Sequence, residues 1–235
     1  MKKHPFFSDK IQTNGNVAFF LRHQNDCEFI LPLMFTGVVP HIITYGPNVL
    51  TDANESVVRR AGFSTFDIYR ARPTIRLKIL EFLNKACRRL SLLSGAEFFL
   101  SSHSSLVNKA YERALVSPGI KEMLQECVSV VFDHSESSDV RGLVATLRRQ
   151  FRLLDLKIIS VPHGAYIFEN RMLDETVIKP PKELDLRFFD LVVCDDGSQS
   201  EGFHGNKAIM RNLRYSQEWI AFRKEVALSP SARPK

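Results

Sequence analysis

Val17-Ala18-Phe19-Phe20-Leu21, entered through Asn14-Gly15 and left through Arg22-His23-Gln24-Asn25-Asp26, is the stretch that decides the fold. Five consecutive apolar residues behind a turn dipeptide read as a strand buried on both faces. The abrupt change to polar and charged residues marks the end of that strand and the start of a strand-to-helix turn. A first strand of this kind belongs to a parallel sheet covered by helices, because an antiparallel strand with one wet face would alternate.

Outward from it the same alternation of elements continues. Phe29, Ile30, Leu33 and Met34 follow helical spacing, with Pro32 confined to the first turns or kinking the helix. His41–Tyr45 reads as a second strand closed by Gly46-Pro47, and Asp52 with Glu55 forms a capping-box pattern ahead of a short helix ending at Gly62. Thr65–Tyr69 reads as a third strand. From Thr74 to Leu93, Ile75, Ile79, Phe82, Leu83, Ala86, Leu90 and Leu93 keep the 3.6 period and predict a long helix with one buried face. Glu97–Leu100 reads as strand, Ser101–Ser105 as a polar loop, and a helix is predicted onward to about Leu115. Val128–Phe132, Lys157–Val161 and Leu191–Cys194 complete the strands, with Ser137 or Ser138 capping a helix striped by Val140, Leu143, Val144, Leu147 and Phe151. The expectation is an α/β, three-layer Rossmann-like domain with a mostly parallel sheet. Residues 1–16 would form an N-terminal arm, 17–211 the domain, and 212–235 a linker or helix with a frayed tail.

Composition narrows the function classes. The 235 residues are 44% hydrophobic and 25% charged, an ordinary globular balance. Thirty-two Lys and Arg against 26 Asp and Glu give a net charge of +6, which suits an anionic partner without selecting one. Cys27, Cys87, Cys127 and Cys194 lack C-x-x-C spacing and read as reduced thiols, and the histidines show no metal-ligand spacing, so no metal is expected. No leader or membrane-span pattern stands out, since the longest apolar runs fall far short of about 20 residues. A cytoplasmic location is expected. Arg72, Arg76, Lys78, Lys85, Arg88 and Arg89 oppose only Glu81 over 72–93, a basic helix that is either solvated or in peripheral contact with the inner membrane face. No G-x-G-x-x-G, P-loop, RNP sequence or zinc module occurs, so nucleic acid is not an expected partner.

In an open α/β sheet, ligands bind beyond the carboxyl ends of the strands, so the residues just after each strand are the candidates. After the first strand, His23 or Asp26 is placed to act as a general base and Arg22 to hold an anionic group, while Asn25 or Asp26 can equally be a helix cap. After Lys157–Val161, Pro162-His163-Gly164 sets an imidazole on a tight turn where the glycine lets backbone amides approach a ligand. The alternative is a turn histidine bonded to backbone. After Leu191–Cys194, Asp195-Asp196-Gly197-Ser198 leads into a helix start, where amides bind anions or Asp196 and Ser198 merely cap.

Three segments together resemble the bacterial surface-carbohydrate (capsular polysaccharide) biosynthesis proteins. These are similar to the CDP-glycerol glycerophosphotransferase and UDP-N-acetylglucosamine 2-epimerase group of GT-B-type folds. The segments are Phe19–Asp26 with Phe29–Pro32, Val161–Gly164, and Asn212–Trp219, the last similar to the stretch that crosses between the two domains. The crossing stretch departs from the pattern, with Asn212 and Leu213 where Gly and Pro are usual. The resemblance implies an N-terminal, acceptor-side GT-B domain, with the donor-binding domain missing or on a separate chain. It implies Asp26 or His23 in the acceptor-activating loop, His163 facing the cleft and Arg214 at the hinge. Arg22, Asn25, Gly164, Asp195 and Ser198 would contact substrate. The implied partners are a carbohydrate or polyol-phosphate acceptor and, in the complete enzyme, a CDP- or UDP-linked donor, with no resident cofactor. A non-catalytic carbohydrate- or phosphate-binding module, or half of an epimerase-like enzyme, remain the alternatives.

Overall fold

The computed structural model describes residues 16–23, 39–50, 55, 58, 63–133, 135, 137–152, 155–161, 184–194 and 203–209. Its centre is a seven-stranded sheet. β1 (Asn16–Leu21), β2 (Val39–Thr44), β3 (Ser64–Asp67), β4 (Cys127–Asp133), β5 (Lys157–Val161), β7 (Leu191–Cys194) and β9 (Lys207–Ile209) lie in the order β3-β2-β1-β4-β5-β7-β9. Every pairing in it is parallel. Two-residue β6 (Leu184–Asp185) and β8 (Phe203–His204) pair separately. The chain is therefore α/β and Rossmann-like, as the first strand implies.

β1 is central, and its pattern of one half-buried residue followed by five buried ones fits a strand covered on both faces. Ala18 and Phe20 join Ile43, Val130, Phe132, Ile158 and Val192 on the face packed by helices, where Phe20 stacks on Phe132 at 4.4 Å. Four helices follow β3 and β4. They are α1 (Thr74–Arg89), α2 (Leu93–Leu115), α3 (Pro118–Gln125) and α4 (Ser138–Gln150). The second half of α2 runs alongside α4 in the same direction. Ser104 Oγ lies 3.3 Å from Ser138 Oγ, Asn108 packs against Gly142, and Arg149 pairs with Glu112. The β2-to-β3 connection, in which Glu55 and Val58 are helical, runs away from β1 in the direction opposite to the β4-to-β5 connection. Right-handed crossovers therefore set these helices on opposite faces of the sheet.

Three expectations are corrected. Glu97–Leu100 is not a strand and Ser101–Ser105 is not a loop, because both lie inside α2. The long helix expected to Leu93 ends at Arg89, and the chain turns through Ser91 in the left-handed region (φ 58°). There Ser91 N–H donates to the Arg88 carbonyl and Leu92 N–H to the Cys87 carbonyl, the paired bonds that close a helix end. The apolar stripe of that helix is not buried either. Leu77 alone is buried in α1, while Ile75, Ile79, Phe82, Leu90 and Leu93 are exposed. The arm, linker and tail at 1–15 and 210–235 lie outside the described residues.

Candidate functional site

Strand order reverses beside β1. β2 and β3 follow on one side and β4, β5 and β7 on the other, so the carboxyl ends of β1 and β4 diverge into the crevice where such folds hold ligands. Register decides which side chains meet there. Leu21 pairs with Thr44 and Phe20 with Phe132, which brings Arg22 and Tyr45, just past the ends of β1 and β2, beside Asp133, the last residue of β4. Tyr45 N–H donates to the Leu21 carbonyl at 2.9 Å, extending the ladder by one residue. Gly46 then passes so near the Arg22 carbonyl oxygen that a Cβ would stand 1.9 Å from it. Only glycine admits that approach.

Asp133 is the buried anchor, 3% exposed. Arg22 Nη2 donates to its Oδ2 at 2.8 Å and the Tyr45 hydroxyl to its Oδ1 at 2.7 Å. Arg22 Nη1 also donates to Ser135 Oγ at 3.1 Å. Ser135 accepts from Ser137 N–H, and Ser137 caps α4 by accepting from Val140 N–H at 3.3 Å. Behind the cluster, the Tyr111 hydroxyl of α2 donates to the Tyr45 carbonyl at 2.7 Å. Burial pushes the Tyr111 phenol well above its ordinary value, so it remains a neutral donor. β1, β2, β4 and the helices α2 and α4 are thus tied together around one carboxylate. The Arg22 side chain keeps 28% exposure, and His23 beside it is exposed.

A groove of about 520 Å³ opens beside this cluster at the carboxyl ends of β2 and β3. Thr44, Gly46, Asn48, Glu55, Asp67 and Arg70 are among its lining residues, with Arg70 Nε 3.0 Å from Asp67 Oδ2. The arrangement can present hydroxyls, the carboxylates of Glu55 and Asp67, and guanidinium groups to a polar ligand. Among the described residues, no group of three or more His, Cys, Asp or Glu side chains is gathered as metal ligands. No helix among them is long and apolar enough to cross a membrane.

Of the candidates drawn from sequence, Arg22 and His23 stand at the crevice. Asn25, Asp26, His163, Gly164, Asp195, Ser198 and Arg214 lie outside the described residues, although β5 and β7 bring Val161 and Cys194, the strand ends that precede His163-Gly164 and Asp195–Ser198 in the sequence, to the same edge of the sheet. His41 sits within β2, where burial lowers its pKa below the usual 6.5. Asp133, Tyr45 and Ser135 were not among the sequence candidates. The signal for them was present: Asp133 and Ser135 follow the apolar run Val128–Phe132, and Tyr45 closes the second strand, so the strand-end rule applied there selects them.

No family model and no curated protein sequence matches the chain. Among solved structures, it is similar to selenomethionine-incorporated holo diaminopropionate ammonia lyase from Escherichia coli. The identity is 11% over 65% of this chain, with a TM-score of 0.21. The chain spans 39% of that enzyme's length, and a likeness this slight bears on neither fold nor chemistry.

Proposed function

We propose that the chain is the acceptor-side domain of a glycosyl- or glycerophosphate-transferase serving surface polysaccharide synthesis, and that it holds a carbohydrate or polyol-phosphate acceptor in the β1/β4 crevice. The observation that supports this reading is the cluster of Arg22, Tyr45, Asp133 and Ser135 at the point where strand order reverses. The resemblance of Phe19–Asp26, Val161–Gly164 and Asn212–Trp219 to that family supplies the reaction class.

In this reading the acceptor hydroxyl loses its proton to a base as its oxygen forms a new bond to the sugar carbon or the glycerol-bearing phosphorus. The bond from that atom to the nucleotide leaving group breaks. Such a transfer depends on positioning and charge stabilisation. Asp133 is unsuited to be the base, since both its oxygens accept hydrogen bonds and it is sealed from solvent. The base falls to His23, Asp26 or His163, with Arg22, Asn25, Gly164, Asp195 and Ser198 orienting substrate and Arg214 at the hinge to a donor-binding domain.

Calorimetry of the full chain against glycerol phosphate, a sugar phosphate, CDP-glycerol and UDP-N-acetylglucosamine tests this. The acceptor-type phosphates should bind, and His163→Ala should weaken them about tenfold or more, equivalent to about 1.4 kcal/mol, with an unchanged melting temperature. Tight binding of a nucleotide-linked donor would overturn the acceptor-side assignment. Turnover of UDP-N-acetylglucosamine without acceptor would point to the epimerase reading instead.

A further inference from the structure

α1 and the first half of α2 form an arm that stands beyond the carboxyl edge of the sheet. Ser104 meets Ser138 at the start of α4, just past the end of β4, so α2 reaches that edge at about residue 104 and residues 93–103 project past it. Buried side chains in α2 are Ala96 and then only residues from Val107 onward. α1 packs along the projecting half, with Cys87 against Gly95 and Glu81 bonded to His103 Nε2 at 3.2 Å.

Outward, the arm is apolar where a solvated helix would be polar. Residues 75, 79, 82 and 86 fall within an arc of about 60° at roughly 100° per residue, on the side opposite buried Leu77. Ile75 is 77% exposed and Phe82 70%. The turn adds Leu90, Leu92 and Leu93, all exposed. Exposed apolar surface of this continuity marks an interaction site. Lys78, Lys85 and Arg89 run along one flank of the stripe on the same helical count. At the base of the arm, Arg76, Lys109 and Arg113 line a groove of about 400 Å³ that has no carboxylate among its lining residues.

Charge disfavours the chain's own termini and a second copy as the occupant. The chain's own N-terminal segment carries Lys2, Lys3 and Lys10 against Asp9, and its last 25 residues carry Arg211, Arg214, Arg223 and Lys224 against Glu218 and Glu225, with more cations beyond. Both are basic, and a second copy would oppose the same cations to themselves. An anionic bilayer supplies what none of these does: phosphates for the Lys and Arg flank, and an apolar layer directly beneath for the Ile, Phe and Leu side chains. We propose that the α1–α2 arm docks this protein on an anionic lipid surface, with Ile75, Ile79, Phe82, Leu92 and Leu93 entering the headgroup–acyl boundary and Lys78, Lys85 and Arg89 meeting lipid phosphates. Docked this way, the carboxyl edge with its crevice lies close to the bilayer. The inference stands on the arm itself and holds whatever chemistry the crevice performs.

Co-sedimentation of the full chain with vesicles tests it, comparing pure phosphatidylcholine with a mixture containing about one-third phosphatidylglycerol. Binding is expected to the anionic vesicles alone, and to fall as salt rises from about 0.05 M to about 0.5 M. Phe82→Ser/Leu92→Ser/Leu93→Ser and Lys78→Glu/Lys85→Glu/Arg89→Glu should each lower the partition coefficient about tenfold or more, with native circular dichroism retained. Absence of binding to anionic vesicles at low salt would overturn the proposal, as would equal binding to neutral ones. Unfolding of the serine variant would show those side chains packed within the chain, and a lipid-free dimer abolished by it would make a second copy the occupant. Either result rejects the membrane assignment.

Discussion

Arg22 and Asp133 show how a residue placed to bind substrate can first be needed to hold the fold. The carboxylate is sealed among β1, β2 and β4, and its charge is tolerated because a guanidinium and a phenol both donate to it. Removing one member of such a pair leaves an uncompensated charge or an unsatisfied donor, typically costing about 3–5 kcal/mol in a fully buried setting. Arg22 retains partial exposure, so Arg22→Leu should cost somewhat less, about 2–4 kcal/mol. Arg22→Leu/Asp133→Leu, which removes both charges, should recover a substantial part of that loss although Tyr45 loses its acceptor. Urea unfolding reads both variants, as a drop in midpoint at constant m-value. Additive losses in the double variant would mean that the two charges do not sustain one another.

At the scale of elements, legibility followed the physics of each pattern. Val17–Leu21, Lys157–Val161 and Leu191–Cys194 are short apolar runs between turn residues, and each is a strand of the central sheet. Glu97–Leu100 has the same appearance and is helix. Three apolar residues in a row, Phe98-Phe99-Leu100, carry no period, and here the deciding facts were nonlocal: Gly95 lets α1 approach, and Val107, Tyr111 and Leu115 anchor the same helix on the core. The serine-rich stretch after it looked like a loop because its residues are polar, yet polar residues are ordinary on the open side of a projecting helix. The buried face predicted for 74–93 failed for a related reason. Periodicity shows that a stripe exists and leaves open what covers it. Of the site, the strand-end rule made Arg22 and His23 legible, whereas the pairing of Arg22 with Asp133 spans 111 positions and required the sheet order. Ser102→Pro separates loop from helix directly. Inside α2 it removes an N–H donor and clashes with the preceding turn, so it should cost about 3 kcal/mol and a measurable share of the helical circular dichroism. A loop would accept it at little cost.

At the scale of the whole molecule, a central sheet carries the core and the arm contributes little to it, and the thiols report on both. Cys127 begins β4 and Cys194 ends β7, both buried, with β5 bonded between the two strands. Asp190 ties this side to the helices, accepting from Ile158 N–H at 2.7 Å and from Arg148 Nη2 at 2.9 Å. Burial pushes the Cys127 thiol up to about 12, so even a transient opening that does not hydrate it yields little thiolate near neutral pH. Cys87 is only partly buried and belongs to the arm. In a Cys27→Ser background, a disulfide reagent at about pH 8 should therefore label Cys87 quickly and the two sheet thiols only through unfolding. If the seven strands open as one unit, Cys127 and Cys194 will show the same opening free energy, and denaturant will lower it with the slope measured for global unfolding. Earlier release of Cys194 would instead mark β7 and β9 as a separable flank, joined to the centre through the short β5–β7 pairing of Ile159 with Leu191 and Ser160 with Val192. That outcome would place the carboxyl end of β7, from which Asp195 and Ser198 follow, in a more mobile part of the fold than the Arg22–Asp133 cluster.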